Sequence, residues 1–339
     1  MRTLLVLGLL LNHLLALAGS TGAGPSQGIT PEQVAVIVND ADPNSVEIGA
    51  YYLAARHIPD KNLIHVSIPG HPRKLSLAAF TQLKQQIEAN LPPETEAMVL
   101  AWTAPYAVEC NAITAALTLG FDASQCKDTC AAGKPSPYFN AATAHPYADL
   151  GLRLSMLLPT DNLAQAKALI DRGVVSNFRQ YPASAYFLRT ADPDRNTRSK
   201  FFPPDGAVPP LQFSVKNLKA NQLENAQDVM VYETGGAQVI KLETVRFLPG
   251  ALADHLTSFG GDLLGKNQMS SLRWLEAGAT ASYGTVSEPC NYWQKFPNPT
   301  VLLKHYLSGA TAIEAYWKSV AWPAQGLFIG EPLAAPYRR

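Results

Sequence analysis

Short β-branched runs alternate with stretches of helical period in the first hundred residues. Val34 to Asn39 (VAVIVN) is an unbroken apolar run with turn residues behind it, which predicts a buried strand. Asn44 or Ser45 is placed to cap a helix running to about His57, and Pro59 stops it. Asn62 to Ile68 (NLIHVSI) predicts a second strand. Ser76 then opens a helix with Leu77, Phe80, Leu83, Ile87 and Leu91 on one face. Met98 to Thr103 (MVLAWT) predicts a third strand. A β-α-β-α-β order implies a parallel sheet with helices on both faces.

The pattern then breaks. Residues 104–150 hold three cysteines, several Pro and Gly and little periodicity, and read as a long irregular insertion. Leu152 to Leu158 predicts an edge strand. A helix follows, capped by Thr160 or Asp161, with Leu163, Ala166, Leu169 and Ile170 inward and Gly173 at its end. From about residue 182 a second series begins. Strands are expected at Ala185–Arg189, Asp228–Tyr232, Gln238–Leu242, Ala279–Tyr283 and Leu327–Ile329. Helices are expected at Met269–Ala277 and Thr300–Leu307, and from a Thr311/Glu314 capping box to Val320. No fixed-period repeat is present. The expected fold class is α/β: two adjacent Rossmann-like units with mainly parallel sheets, spanning 29–181 and 182–339.

Composition narrows the partners. The 339 residues are 47% hydrophobic and 16% charged, and 27 Lys and Arg balance 27 Asp and Glu. This is a globular composition without the basic surplus that nucleic acid demands. Arg2, the apolar run Leu4 to Leu17 and the Ala16-Leu17-Ala18 pattern read as a signal peptide cleaved after Ala18, followed by a flexible leader over 19–28. A periplasmic or secreted protein with no stable membrane span after cleavage is expected. Export permits disulfides, and Cys110, Cys126 and Cys130 lie close enough in the chain to expect one bridge among them. The rival reading is a zinc site from these three with His145, although C-x3-C is not a clean zinc pair.

Several strings resemble the gingipain-type group of the caspase-like clan of cysteine peptidases. They are Asp149-Leu150-Gly151-Leu152-Arg153, the strand Asp228 to Tyr232 with Thr234-Gly235-Gly236, the Ala277-Gly278-Ala279 stretch through Gly284, and Gly330-Glu331-Pro332-Leu333. The similarity spans roughly residues 30–337. Longer strings resemble an uncharacterised family of exported bacterial proteins found beside exosortase protein-sorting systems: Ile37 to Asn44, Leu248 to Gly261, Met269 to Cys290 and Glu314 to Val320. The first resemblance implies a caspase-like second unit, with a catalytic His after the strand ending near Tyr232 and a catalytic Cys at the end of the next core strand. Here Gly235-Gly236 occupies the first position, and no Cys lies between Leu248 and Gly261. The usual dyad is therefore read as absent, and fold alone does not supply activity.

The residues left as catalytic candidates are Asp254, His255, Ser258, Glu288 and Cys290. Ser258 or Cys290 would be the nucleophile, His255 the base, and Asp254 or Glu288 its orienting acid, with the Gly260 and Gly261 amides holding an oxyanion. The bland reading of the same string is a capping Asp, a hydrogen-bonded His and a tight Gly turn. Asp254 and His255, as neighbours on a strand, should point to opposite faces. A metal held by Asp254, His255 and Glu288 has no supporting spacing. Trp102, Tyr106 and Glu109 border the first unit's strand end. Tyr292, Trp293, Tyr316, Trp317 and Trp322 form an aromatic C-terminal region suited to a core, a peptide or a glycan. Asp192, Asp194, Arg195 and Arg198 read as a solvated loop, and His57, His65, His71 and His305 as structural or exposed. Phosphate-loop, dinucleotide, H-E-x-x-H and G-x-S-x-G motifs are missing, so no cofactor and no metal is expected. The expected function is binding or assembly beside envelope, exopolysaccharide or protein-sorting systems, with an envelope protein, peptide or glycan as partner. The alternative is an active peptidase-type hydrolase using His255 with Ser258 or Cys290; a third option is a purely structural periplasmic module.

Overall fold

The computed structural model describes residues 28–339. The expected signal peptide and nearly all of the leader lie outside the described residues.

In the N-terminal half, β1 (Val34–Asn39) is buried at every position, as a strand covered by helices on both faces must be. Helix α1 (Pro43–Arg56) follows it. Its cap is Asp42, whose side chain accepts from the Asn44 amide at 3.0 Å; Asn44 and Ser45, the expected caps, lie inside the helix. Ser45 instead accepts from the Asn39 amide at 2.8 Å and donates to the Ala101 carbonyl, linking two strands. Strand β2 (Leu63–Val66), the two-residue β3 (Lys74–Leu75), helix α2 (Leu77–Glu88) and β4 (Ala97–Ala101) come next. The stretch expected to be irregular is built instead: β5 (Ala107–Val108) and β6 (Asn111–Ala112) join β3 in a small sheet, and α3 (Ile113–Leu119), α4 (Ser124–Lys127) and α5 (Pro146–Leu150) follow. Six of the seven residues of α3 are buried, so it has no polar face to produce a period. Strand β7 (Leu154–Leu157) lies between β4 and β14 rather than at an edge, and helix α6 (Leu163–Ser176) follows.

The C-terminal half holds β8 (Ala183–Arg189), β9 (Gly206–Val208), β10 (Phe213–Lys219), β11 (Val229–Gly235), β12 (Phe247–Leu256), α7 (Leu272–Glu276), β13 (Ala281–Thr285), α8 (Pro299–Leu307), α9 (Ala312–Ser319) and β14 (Gly326–Gly330). The expected short strand at Gln238–Leu242 is not formed. The core strand that the resemblance implies near Leu248 to Gly261 is β12; its register against β11 shifts beside Pro249-Gly250, and Gly250 takes φ +89°. The Thr311/Glu314 capping box is present.

Eleven strands form one sheet in the order β2-β1-β4-β7-β14-β13-β12-β11-β8-β10-β9. It runs without a break across the expected unit boundary, through the pairing of Leu157 with Ile329. Glu331 reinforces this junction. Its carboxylate accepts from Tyr52 Oη at 2.7 Å and Arg56 Nε at 2.9 Å, all three side chains being buried. Strand β14 is antiparallel to β13 and meets β7 at Leu157. The loop after β4 meets the loops after β12 and β13: Tyr106 bonds to Asp262, Ser287 donates to the Cys110 carbonyl, and Cys130 is bonded to Cys290. Open α/β sheets bind ligands outside strand carboxyl ends, so the strand ends of the two halves offer two neighbouring places for a site.

Candidate functional site

The sequence candidates gather at the C-terminal half's edge. Strands β11 and β12 pair in register there: Glu233 with Asp254, Thr234 with His255, Gly235 with Leu256. Side chains paired in this way share a face, and successive ones alternate. Glu233 and Asp254 accordingly meet the same partner, Arg198, and His255 goes the other way.

His255 is 1% exposed. Its Nδ1 accepts from the Trp274 indole Nε1 at 2.9 Å, which puts the ring proton on Nε2, and Nε2 has no hydrogen-bond partner. Burial, helped by the charge of Arg198, pushes its pKa down to about 3, so the ring is neutral and a poor proton acceptor. No hydrogen bond joins it to Ser258, and Asp254 does not orient it.

Asp254 belongs to an internal charge cluster. Arg198 Nη1 lies 2.5 Å from Asp254 Oδ1 and 3.3 Å from Glu233 Oε2, all three side chains being at most 1% exposed. Arg198 Nη2 also donates to the Thr234 carbonyl at 2.9 Å. Burial pushes the Glu233 carboxyl well above its ordinary range and raises Asp254, with Arg198 opposing both shifts. A protonated Glu233 beside an Arg198–Asp254 pair leaves the cluster neutral. Arg198, expected in a solvated loop, is thus a core residue. Neither it nor Glu233 was visible as such in the sequence. The acidic residue inside the buried run VMVYETG was the available signal.

Ser258 is half-buried. Its amide donates to Gln268 Oε1 at 2.9 Å and its carbonyl accepts from Thr285 Oγ1 at 2.8 Å. With Asp194, Arg195, Thr257 and Asn291 it lines a cavity of about 130 Å³ from which His255 is excluded. The Gly261 amide, proposed for an oxyanion, donates to the Thr285 carbonyl at 2.9 Å. Glu288 accepts from the Cys290 amide at 2.8 Å in a local turn. Cys290 is bonded to Cys130 and carries no free thiol; Cys110 pairs with Cys126. The expected bridge within the first three cysteines exists, but the third cysteine reaches 160 positions along the chain. No zinc site can form from bonded sulfurs, and no cluster of three or more metal-ligating side chains occurs among the described residues.

Backbone fills the rest of this edge. A Cβ at Gly235 would sit 1.9 Å from the Arg195 carbonyl oxygen, so the strand end where the resemblance implies an imidazole has no room for a side chain. A Cβ at Gly261 would meet the Gly284 carbonyl oxygen at 2.6 Å, and one at Gly284 would meet the Gly260 carbonyl carbon at 2.3 Å.

The aromatic candidates divide. Trp102 is buried and donates to the Pro105 carbonyl at 3.0 Å. Tyr106 donates to Asp262 Oδ1 at 2.5 Å, and Glu109 accepts from the Leu77 amide at 3.3 Å. Trp317 stacks on Phe328 with centroids 4.2 Å apart, in the core. Tyr316 is fully buried beside Asp254, whereas Tyr292 is 39% exposed next to Trp322.

The surface beside the ends of β4 and β7 is open. A cavity of about 370 Å³ lies outside the ends of β4 and β7, between α6 and α7, where Thr103, Pro159, Leu169, Arg172, Leu264 and Leu272 are among its walls.

The chain matches no family model and no curated protein. It is similar to a solved structure described as "Structure of Protease", with a TM-score of 0.50 and 10% sequence identity, over 91% of this chain and 79% of that one. This is a likeness of fold alone, between two mixed α/β proteins.

Proposed function

We propose that this is an exported, caspase-like or gingipain-like protein without the usual His–Cys dyad, serving as a binding or assembly factor in the cell envelope. The protease-like fold supports the scaffold. The observation that carries the rest is the state of the β11 and β12 strand ends. The imidazole there is buried against an indole, both nearby sulfur atoms are bonded, and the preceding strand end has no space for a side chain. A thiol or serine protease needs a nucleophile within hydrogen-bond reach of a base, and neither half of that requirement is supported. Two disulfides fit an oxidising compartment. No helix among the described residues is long and apolar enough to cross a membrane. Association with exosortase or exopolysaccharide systems rests on the resemblance of the longer strings alone.

The test is chemical. Incubation of the purified protein with serine-reactive and thiol-reactive probes, with and without His255→Ala, should give no His255-dependent adduct. Stoichiometric labelling of Ser258 that vanishes in His255→Ala would establish the hydrolase reading instead.

A further inference from the structure

The cavity between α6 and α7 has the make-up of a ligand site. It follows the carboxyl ends of β4 and β7, and its volume of about 370 Å³ lies within the range of small-molecule pockets. Ala166 and Leu169 of α6, Leu272 and Leu275 of α7, and Leu264 give it an apolar wall.

Its charges are arranged by position. Arg172 lines one end. The guanidinium is held by backbone oxygens, with Nε and Nη2 donating to Ala279 at 3.1 and 2.7 Å and Nη2 to Leu275 at 2.7 Å. It has no acidic partner among the described residues. Burial lowers its pKa only to about 10, so it stays charged. The other acid at that end, Glu276, is already paired with Arg273. Asp161, Asn162 and Gln165 mark the opposite end, and the Asp161 carboxylate forms no ion pair among the described residues. Ten residues of helix, from Asn162 to Arg172, separate the ends by about 15 Å.

We infer that this cavity binds the free carboxyl terminus of a short apolar peptide, three to four residues long. Such a segment spans about 10–14 Å extended. Its carboxylate would meet Arg172, its apolar side chains the leucine wall, and its amide N–H groups the acceptors at Asp161 and Gln165, since Asn162 Oδ1 already accepts from the Gln165 amide at 3.1 Å as the cap of α6. A fatty acid would satisfy Arg172 but set alkyl carbon against those acceptors. The inference extends the binding reading above, and its failure would leave the labelling test of the other edge untouched.

Isothermal titration of the purified protein with N-acetyl-trileucine bearing a free carboxylate, with the same peptide as its amide, and with octanoate tests it. The acid should bind, and the amide and octanoate at least tenfold more weakly. Arg172→Gln should weaken the acid at least tenfold. Because Arg172 also holds the end of α7, Leu272→Trp provides the independent variant: it fills the cavity, leaves Arg172 in place and should abolish binding with the melting temperature kept. Equal binding of acid and amide, no binding at millimolar peptide, or full affinity in Leu272→Trp would overturn the inference. Octanoate binding as tightly as the acid would replace the peptide with a fatty acid.

Discussion

The carboxyl strand ends of the two halves of this sheet are alike in origin and opposite in outcome. On both, parallel strands end and loops begin, and on both the sequence places polar residues. At the C-terminal half the loops close on one another through glycine: Gly235 lies under the Arg195 carbonyl, and Gly261 lies against Gly284. The charged residues there face inward and neutralise each other around Arg198. At the N-terminal half a cavity of about 370 Å³ remains beside the ends of β4 and β7, lined by Arg172, a cation that forms no ion pair among the described residues. A site thus depends less on which residues end a strand than on whether the loops leave room and an unsatisfied charge.

The largest effect expected concerns how the closed edge is tied. The Cys130–Cys290 bridge joins positions 160 apart, whereas Cys110–Cys126 joins positions 16 apart. Loop-closure entropy then assigns about 5 kcal/mol to the first and about 3 kcal/mol to the second. Denaturant unfolding of Cys130→Ser/Cys290→Ser against Cys110→Ser/Cys126→Ser should show that order, and equal losses would mean that the long bridge does not restrain the unfolded chain. Next is the buried cluster. Arg198→Met strands Asp254 in the core and should cost about 3–5 kcal/mol, whereas Glu233→Gln, replacing a carboxyl already held protonated, should cost less than about 1 kcal/mol. A large loss from Glu233→Gln would show that Glu233 is ionised.

These two residues also mark where sequence reading stops. The α/β class and most strands followed from local period: VAVIVN, AYFLR and the Thr311–Glu314 box carry their structure in neighbouring residues. The role of Arg198 does not, because its partners come from two strands 35 and 56 positions away. Its neighbours Asp192, Asp194 and Arg195 gave it the look of a surface loop. Helix α3 escaped because burial on all sides removes the polar phase that defines a period. The joining of the two halves rests on one strand, β14, whose neighbours come from opposite halves of the chain.

A pH series sharpens the contrast further. His255 has its folded pKa depressed to about 3 from 6.5. Below pH 6.5 the unfolded chain takes up a proton that the folded one refuses, so this stability is complete above 6.5 and is lost as pH falls towards 3. Between pH 7 and 5 the loss should be about 2 kcal/mol. Glu233 and Asp254, raised by burial, act in the opposite sense, so the quantity to compare is wild type minus His255→Asn, whose amide oxygen can still accept from Trp274. An unchanged pH slope in the variant would mean that His255 is not the group responsible. The smallest effect compares single residues at the two edges. Gly235→Ala must displace the Arg195 backbone and should cost about 1–3 kcal/mol. Leu272→Trp has open cavity to turn into and should change stability by less than about 1 kcal/mol. Similar costs at both positions would erase the distinction between a closed and an open edge.

The most direct measurement is the protonation of the one imidazole at the closed edge. In ¹⁵N-labelled protein, the His255 ring should appear as the neutral Nε2–H tautomer, with Nδ1 accepting from Trp274, and should stay so as pH is lowered from 8 to 5. A His255 that titrates between pH 6 and 7, or that carries its proton on Nδ1 with Nε2 free to accept, would be a working base and would contradict the reading of this protein as a protease fold without its chemistry.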